Sequence, residues 1–92
     1  DTICEPTRQR VAAVEALARE ADVVVVVGGA NSNNSRQLVR LCESVGTRAV
    51  LVQGPDDLEP GWFAGADVVG LTAGTSSLDE TVDAVERELR RL

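Results

Sequence analysis

The sequence predicts an α/β domain whose parallel sheet is covered by helices on both sides, and three observations carry that expectation. Five consecutive valines, Val23 to Val27, run into Gly28 and Gly29 without a polar residue among them. A strand with one wet face alternates apolar and polar residues, so this run reads as a strand buried on both faces, as in the middle of a parallel sheet. Strand-like runs then alternate with helix-like amphipathic stretches in the order αβαβ(α)βα. Finally, two of the strands pass through uncharged, hydroxyl-rich turns directly into helices: Gly28-Gly29-Ala30-Asn31-Ser32-Asn33-Asn34-Ser35 after the valines, and Thr72-Ala73-Gly74-Thr75-Ser76-Ser77 after Asp67-Val68-Val69-Gly70-Leu71.

The first helix is expected from about Arg8 to Ala21, with Val11, Val14, Leu17, Ala18 and Ala21 on one face. Pro6 and Thr7 just ahead of it suit a helix start. The valine strand follows. The second helix spans about Asn34 to Val45, where Leu38, Leu41, Cys42 and Val45 recur at i, i+3, i+4 and i+7, and Gly46 is a good terminator. Arg48 to Gln53 is the second strand, ended by Gly54-Pro55, and residues 56–65 form a loop or short helix. The third strand covers about Asp67 to Leu71, and the last helix carries Leu78, Val82, Val85, Leu89 and Leu92 at a helical period.

Parallel strands joined by right-handed crossovers send all their strand-to-helix turns to one edge of the sheet. With the three strands in spatial order 2-1-3, the crevice falls between the two hydroxyl-rich turns. The whole reads as a three-layer αβα sandwich of flavodoxin-like or Rossmann-like type. Cys4 joins the same edge if a strand outside these residues feeds the first helix.

A chain of 92 residues, 43% apolar and 26% charged, makes one domain, residues 1–92, with a single core. It begins at Asp1 and has no Met, which reads as a piece of a longer polypeptide. The net charge of -6, with no Lys and all nine basic residues Arg, disfavours nucleic-acid binding, and no such partner is expected. No apolar run approaches the ~20 residues of a membrane span and no signal peptide is visible, so the expected location is cytoplasmic. Cys42 lies on the buried stripe of its helix and reads as packing, whereas Cys4, ahead of the first helix, is placed like a ligand.

Helix N-termini carry partial positive charge and outward-pointing N–H groups, so the two turns suit a phosphate or diphosphate. One side chain is enough to cap a helix, yet the first turn offers Ser32, Asn33, Asn34 and Ser35, and the second Thr72, Thr75, Ser76 and Ser77. Three or four donors worth roughly 1.5–3 kcal/mol each to a charged acceptor could hold a diphosphate without any Lys. The Gly-Lys-Ser/Thr of a P-loop and the G-x-G-x-x-G dinucleotide fingerprint are both missing. There is no His, so neither a Ser-His-Asp device nor a His-bearing zinc site can be built from this chain, and no catalytic acid or base is assigned within it.

Read in order, Asp1-Thr2-Ile3-Cys4, Thr7 and Arg10, the Val26 to Ser35 segment, and Gly70-Leu71-Thr72-Ala73-Gly74-Thr75-Ser76 resemble the carboxy-terminal third of the 4-hydroxy-3-methylbut-2-enyl diphosphate reductases, the LytB family. The resemblance covers essentially the whole chain. It implies an oxidoreductase of non-mevalonate isoprenoid biosynthesis, built from three pseudo-equivalent α/β domains, each giving one cysteine to a central iron–sulfur (4Fe-4S) cluster. Cys4 matches this domain's metal ligand, and the other cysteines would lie outside these residues. The reaction implied is the two-electron removal of the substrate's hydroxyl group as water, giving isopentenyl and dimethylallyl diphosphates. Carried over position by position, Ser32, Asn34 and Ser76 bind the diphosphate. Asn33, which stands where many relatives have Ser, is a further candidate, and Thr75 replaces a common Ala. The implied partners are the small diphosphate substrate, an electron donor such as ferredoxin or flavodoxin, and the remaining domains of the parent chain. The isolated fragment is expected to be inactive. The alternative reading is a non-enzymatic, flavodoxin-like module that binds a phosphate or diphosphate.

Overall fold

The computed structural model describes residues 2–3, 7–8, 11–29, 33–73 and 79–91. The elements are strands β1 (Thr2–Ile3) and β2 (Thr7–Arg8), helix α1 (Val11–Glu20), β3 (Val23–Val27), α2 (Asn33–Ser44), β4 (Arg48–Val52), β5 (Val68–Ala73) and α3 (Asp79–Arg91), with short 3-10 turns at Pro55–Asp57 and Pro60–Phe63. Among the described residues the strands make one parallel sheet in the order β1-β5-β3-β4, with β2 also pairing β5. The three longer strands thus adopt the expected 2-1-3 arrangement, with the valine strand in the middle.

Every residue of β3 is buried, as the missing polar alternation predicts. Its side chains divide between two cores. Val25 and Val27 join Val52, Val69, Leu71, Ala73 and the α3 residues Val82, Val85 and Leu89. Val24 and Val26 face the other way, onto Val14, Leu17, Ala18, Leu38 and Cys42 of α1 and α2. The result is a three-layer αβα sandwich, each buried valine adding about 1.5–3 kcal/mol relative to an exposed one. Trp62 and Phe63, edge to face at 6.2 Å between ring centres, pack half-buried against the α3-side core. No helix of the described residues is long and apolar enough to cross a membrane.

Gly70 sets the spacing between α1 and the sheet. A Cβ added there would lie 2.9 Å from Leu17 Cγ, so the helix seats its Leu17 side chain against the bare backbone of β5. Gly46 closes α2 as expected: its φ of 87° is left-handed, its N–H donates to the Glu43 carbonyl at 3.0 Å, and the Thr47 N–H donates to the Cys42 carbonyl at 3.0 Å. That pair of bonds is a Schellman termination.

At the amino-terminal edge of the sheet, Asp22 accepts from the N–H groups of Asp67 at 2.8 Å and Val68 at 3.0 Å, while its own N–H donates to the Val68 carbonyl. These two bonds hold the Asp22 carboxyl below its ordinary range, outweighing a small opposing effect of desolvation. The Thr47 hydroxyl donates to the Ala18 carbonyl, tying the start of β4 to the end of α1.

Two boundaries and one added edge strand differ from expectation near the site. The first helix begins at Val11 rather than near Arg8, because Thr7 and Arg8 extend the sheet. The strand that feeds α1 therefore lies within the chain itself: Thr2 and Ile3 pair Val68 and Val69, and Thr7 and Arg8 pair Thr72 and Ala73. The β-branched Thr2, Ile3 and Thr7 are the sequence signal for this edge strand, offset by the Pro6 between them. In addition, β5 runs on to Ala73, two residues past the expected Leu71, because Thr72 and Ala73 find partners in both β2 and β3.

Candidate functional site

The carboxyl ends of the strands fall in one register row: Val27 pairs both Val52 and Ala73, and Ala73 pairs Arg8. Val27 and Ala73, hydrogen-bonded neighbours about 4.8 Å apart, are therefore the two points from which the hydroxyl-rich turns depart. Helix α2 begins at Asn33, and α3 begins at Asp79, on the return from that same rim.

Of the expected site residues, Asn33 and Asn34 are described, and both are exposed in the first turn of α2. Cys4, Ser32 and Ser76 lie outside the described residues, as do Thr75 and Ser77. For Cys4, the described neighbours Ile3 and Thr7 pair Val69 and Thr72 of β5. The register offset between the edge strand and β5 changes by one residue between these two pairs.

The first turn of α2 contains no acidic residue. Nothing in that turn competes electrostatically with an incoming anion, and the outward-pointing amides and the helix dipole favour one there. Asn33 Oδ1 accepts from Arg36 Nη2 at 3.4 Å, a long bond between exposed groups. Arg36 is a cation that sequence reasoning passed over. Its i+3 spacing from Asn33 was the available signal, and it places a guanidinium on the turn where the anion would arrive.

Two of the proposed polar donors are not on the surface at all. Ser35 and Thr72 are each 0% exposed. Ser35 heads the buried stripe Ser35, Leu38, Cys42 of α2, so it faces the sheet and not the solvent. Thr72 pairs Val26 within the ladder, one residue inside the rim. Neither hydroxyl reaches an anion in the crevice as the surplus of polar residues had implied. The spacing of Ser35 three residues before Leu38 and seven before Cys42 carried that information.

Cys42 is free and fully buried between α1, α2 and the sheet. Burial, aided by the neighbouring Glu43 carboxylate, pushes its thiol up. A protonated, enclosed thiol is unsuited to metal ligation, in keeping with its reading as packing. Among the described residues no three His, Cys, Asp or Glu side chains gather as a metal site, and Cys4, the expected ligand, lies outside them.

The family model described as "LytB protein" matches residues 1–90. Among curated relatives, the 4-hydroxy-3-methylbut-2-enyl diphosphate reductase of Vibrio vulnificus (strain YJ016) is 47% identical over 92 residues, all of this chain and 29% of the relative. The enzyme of the same name from Anaeromyxobacter sp. (strain Fw109-5) is also 47% identical over 92 residues, 32% of its length. The chain thus spans under a third of the length of the relatives it matches. Among solved structures, "Structure of (E)-4-Hydroxy-3-methyl-but-2-enyl Diphosphate Reductase, the Terminal Enzyme of the Non-Mevalonate Pathway" superposes with a TM-score of 0.86 at 31% identity, covering 90% of this chain and 30% of that one. The E-1-hydroxy-2-methyl-but-2-enyl-4-diphosphate reductase from Plasmodium falciparum shares the fold, with a TM-score of 0.81 at 22% identity over 84% of this chain and 24% of that one.

Proposed function

We propose, since the chain belongs to the LytB family, that it forms the carboxy-terminal third of a 4-hydroxy-3-methylbut-2-enyl diphosphate reductase and supplies part of its diphosphate site. The observation that carries this reading is the carboxyl rim of the sheet. Two adjacent strand ends, Val27 and Ala73, lead into the two hydroxyl-rich turns, and the helix after the first turn opens without a carboxylate. In this reading Ser32, Asn33, Asn34 and Ser76 donate hydrogen bonds to the diphosphate, assisted by the dipole of α2. Held by its diphosphate, the substrate is anchored at one end, and its hydroxyl-bearing carbon is presented to chemistry supplied from the centre of the assembly.

Cys4 is proposed as one thiolate ligand of a 4Fe-4S cluster whose other ligands come from outside these residues, an assignment that rests on family resemblance. The cluster, when bound, supplies the electrons for removal of the substrate's hydroxyl group. An external one-electron carrier of ferredoxin or flavodoxin type and a cytoplasmic setting complete the reading. The 92 residues alone are expected to be inactive.

The test is made anaerobically on the complete reductase. Cys4→Ser should lose the cluster's visible absorbance together with activity, while Cys42→Ser keeps both, since Cys42 belongs to the core. If Cys42→Ser loses the cluster and Cys4→Ser retains it, the assignment is reversed.

A further inference from the structure

Buried polar side chains among the described residues are Ser35, Thr47 and Thr72. The Thr47 hydroxyl is spent at the amino-terminal edge, where it binds the Ala18 carbonyl. The other two flank the hydroxyl-rich turns: Ser35 is the third residue of α2, and Thr72 is the last but one of β5. They also lie in the same layer. Thr72 is in register with Val26, which faces α1 and α2, and Ser35 shares its stripe with Leu38 and Cys42 of that same core. One fully enclosed hydroxyl therefore stands at the rim end of this layer on each side of the crevice.

Packing alone does not call for either hydroxyl. Ala is the better helix former at a buried position such as 35, and Val matches Thr in shape while suiting a strand core better. A hydroxyl in an apolar layer is destabilising unless it is hydrogen-bonded, and no buried side-chain oxygen or nitrogen of the described residues lacks a hydrogen-bond partner. Each hydroxyl is thus committed to the protein and not to a ligand, at the root of a turn whose donors must be set within tenths of an ångström to bind an anion well.

We propose that Ser35 and Thr72 are positioning residues of the diphosphate site, their enclosed hydroxyls holding the first turn of α2 and the end of β5 so that the outward donors converge. This inference rests on the diphosphate reading given above. In the mechanism neither side chain touches substrate. Loss of either hydroxyl leaves the number of donors unchanged and spoils their alignment, so binding weakens while the chemical step of bound substrate is little altered.

The complete reductase carrying Ser35→Ala, Thr72→Val or Thr72→Ser decides the matter, with KM for the diphosphate substrate, kcat, the inhibition constant of inorganic pyrophosphate, and thermal unfolding measured on each. Ser35→Ala and Thr72→Val should raise both KM and the pyrophosphate constant roughly three- to tenfold, the worth of one hydrogen bond. Their kcat should stay within about twofold, and their unfolding temperature should fall only by as much as the loss of one buried hydrogen bond brings. Thr72→Ser, which keeps the hydroxyl, should bind as the parent does. Pyrophosphate binding unchanged in both hydroxyl-free variants overturns the proposal, and so does Thr72→Ser behaving like Thr72→Val. Should Ser35→Ala fail to fold, the two Thr72 variants still decide it. Asn34→Ala serves as the reference. If it weakens pyrophosphate while Thr72→Val does not, the positioning role fails alone. If Asn34→Ala is equally silent, the diphosphate reading itself fails.

Discussion

The two strand-to-helix junctions, β3 into α2 and β5 into α3, are written in the same sequence grammar and built on neighbouring strand ends, yet they differ in charge. Helix α2 opens on Asn33-Asn34-Ser35 with no acidic residue in its first turn, whereas α3 opens on Asp79-Glu80. Carboxylates at a helix start satisfy its dipole and repel a second anion. Under the diphosphate reading, the start of α2 is therefore favoured by charge over that of α3, where Glu80 would oppose an anion. Hydroxyl-rich turns before helices are not equivalent sites, and the residues just inside each helix decide between them.

Charge reversal at α2 breaks this comparison most severely. Asn34→Asp replaces a donor by a carboxylate, and pyrophosphate inhibition of the complete reductase should weaken at least about thirtyfold, more than for Asn34→Ala. The β5 arm can be tested through its packing. Gly70→Ala forces a Cβ to within 2.9 Å of Leu17 Cγ and should destabilise the domain by about 1–3 kcal/mol. Thermal unfolding would register this as a fall of roughly 4–8 °C per kcal/mol. Wild-type unfolding in that variant would mean that α1 yields easily. At α3, Glu80→Gln removes one competing charge and should tighten pyrophosphate about two- to fivefold, an effect that fades with added salt. Arg36→Gln should move the constant in the other direction by a comparable factor, since Glu80 and Arg36 are both exposed and screened.

The opposite edge of the sheet has a pH signature of its own. Because two backbone N–H groups hold the folded Asp22 carboxyl below its unfolded pKa, its contribution is complete above the unfolded value and is lost as pH falls through the folded one. Denaturant midpoints followed from pH 6 to pH 2, at roughly the usual carboxylate range, should therefore drop more steeply for the parent than for Asp22→Asn.

Much of this architecture was legible because it rests on periodicity. The valine run announced a central strand, the stripes of α1, α2 and α3 announced three amphipathic helices, and Gly46 marked the end of α2. The edge strand was not, since two-residue pieces on either side of residues 4–6 carry too little pattern to compete with the helix-start signal of Pro6 and Thr7. Asn33 and Asn34, expected in the turn that opens the second helix, are the exposed first two residues of α2. Ser35 and Thr72 were counted with them as donors because composition does not say which way a hydroxyl faces. Only the i, i+3, i+7 relation of Ser35 to Leu38 and Cys42, and the ladder partners of Thr72, separate the inward from the outward ones.

The Asp22 clamp on β5 and the Thr47 bond to α1 both lie at the foot of the strands, away from their carboxyl rim. Such a layout lets the scaffold be fastened from below while the upper loops are rewritten by mutation. Exchanging the Asn-Ser-Asn-Asn turn for that of a relative should therefore leave folding intact and alter only what is gripped, which makes the domain a tractable chassis for loop grafting.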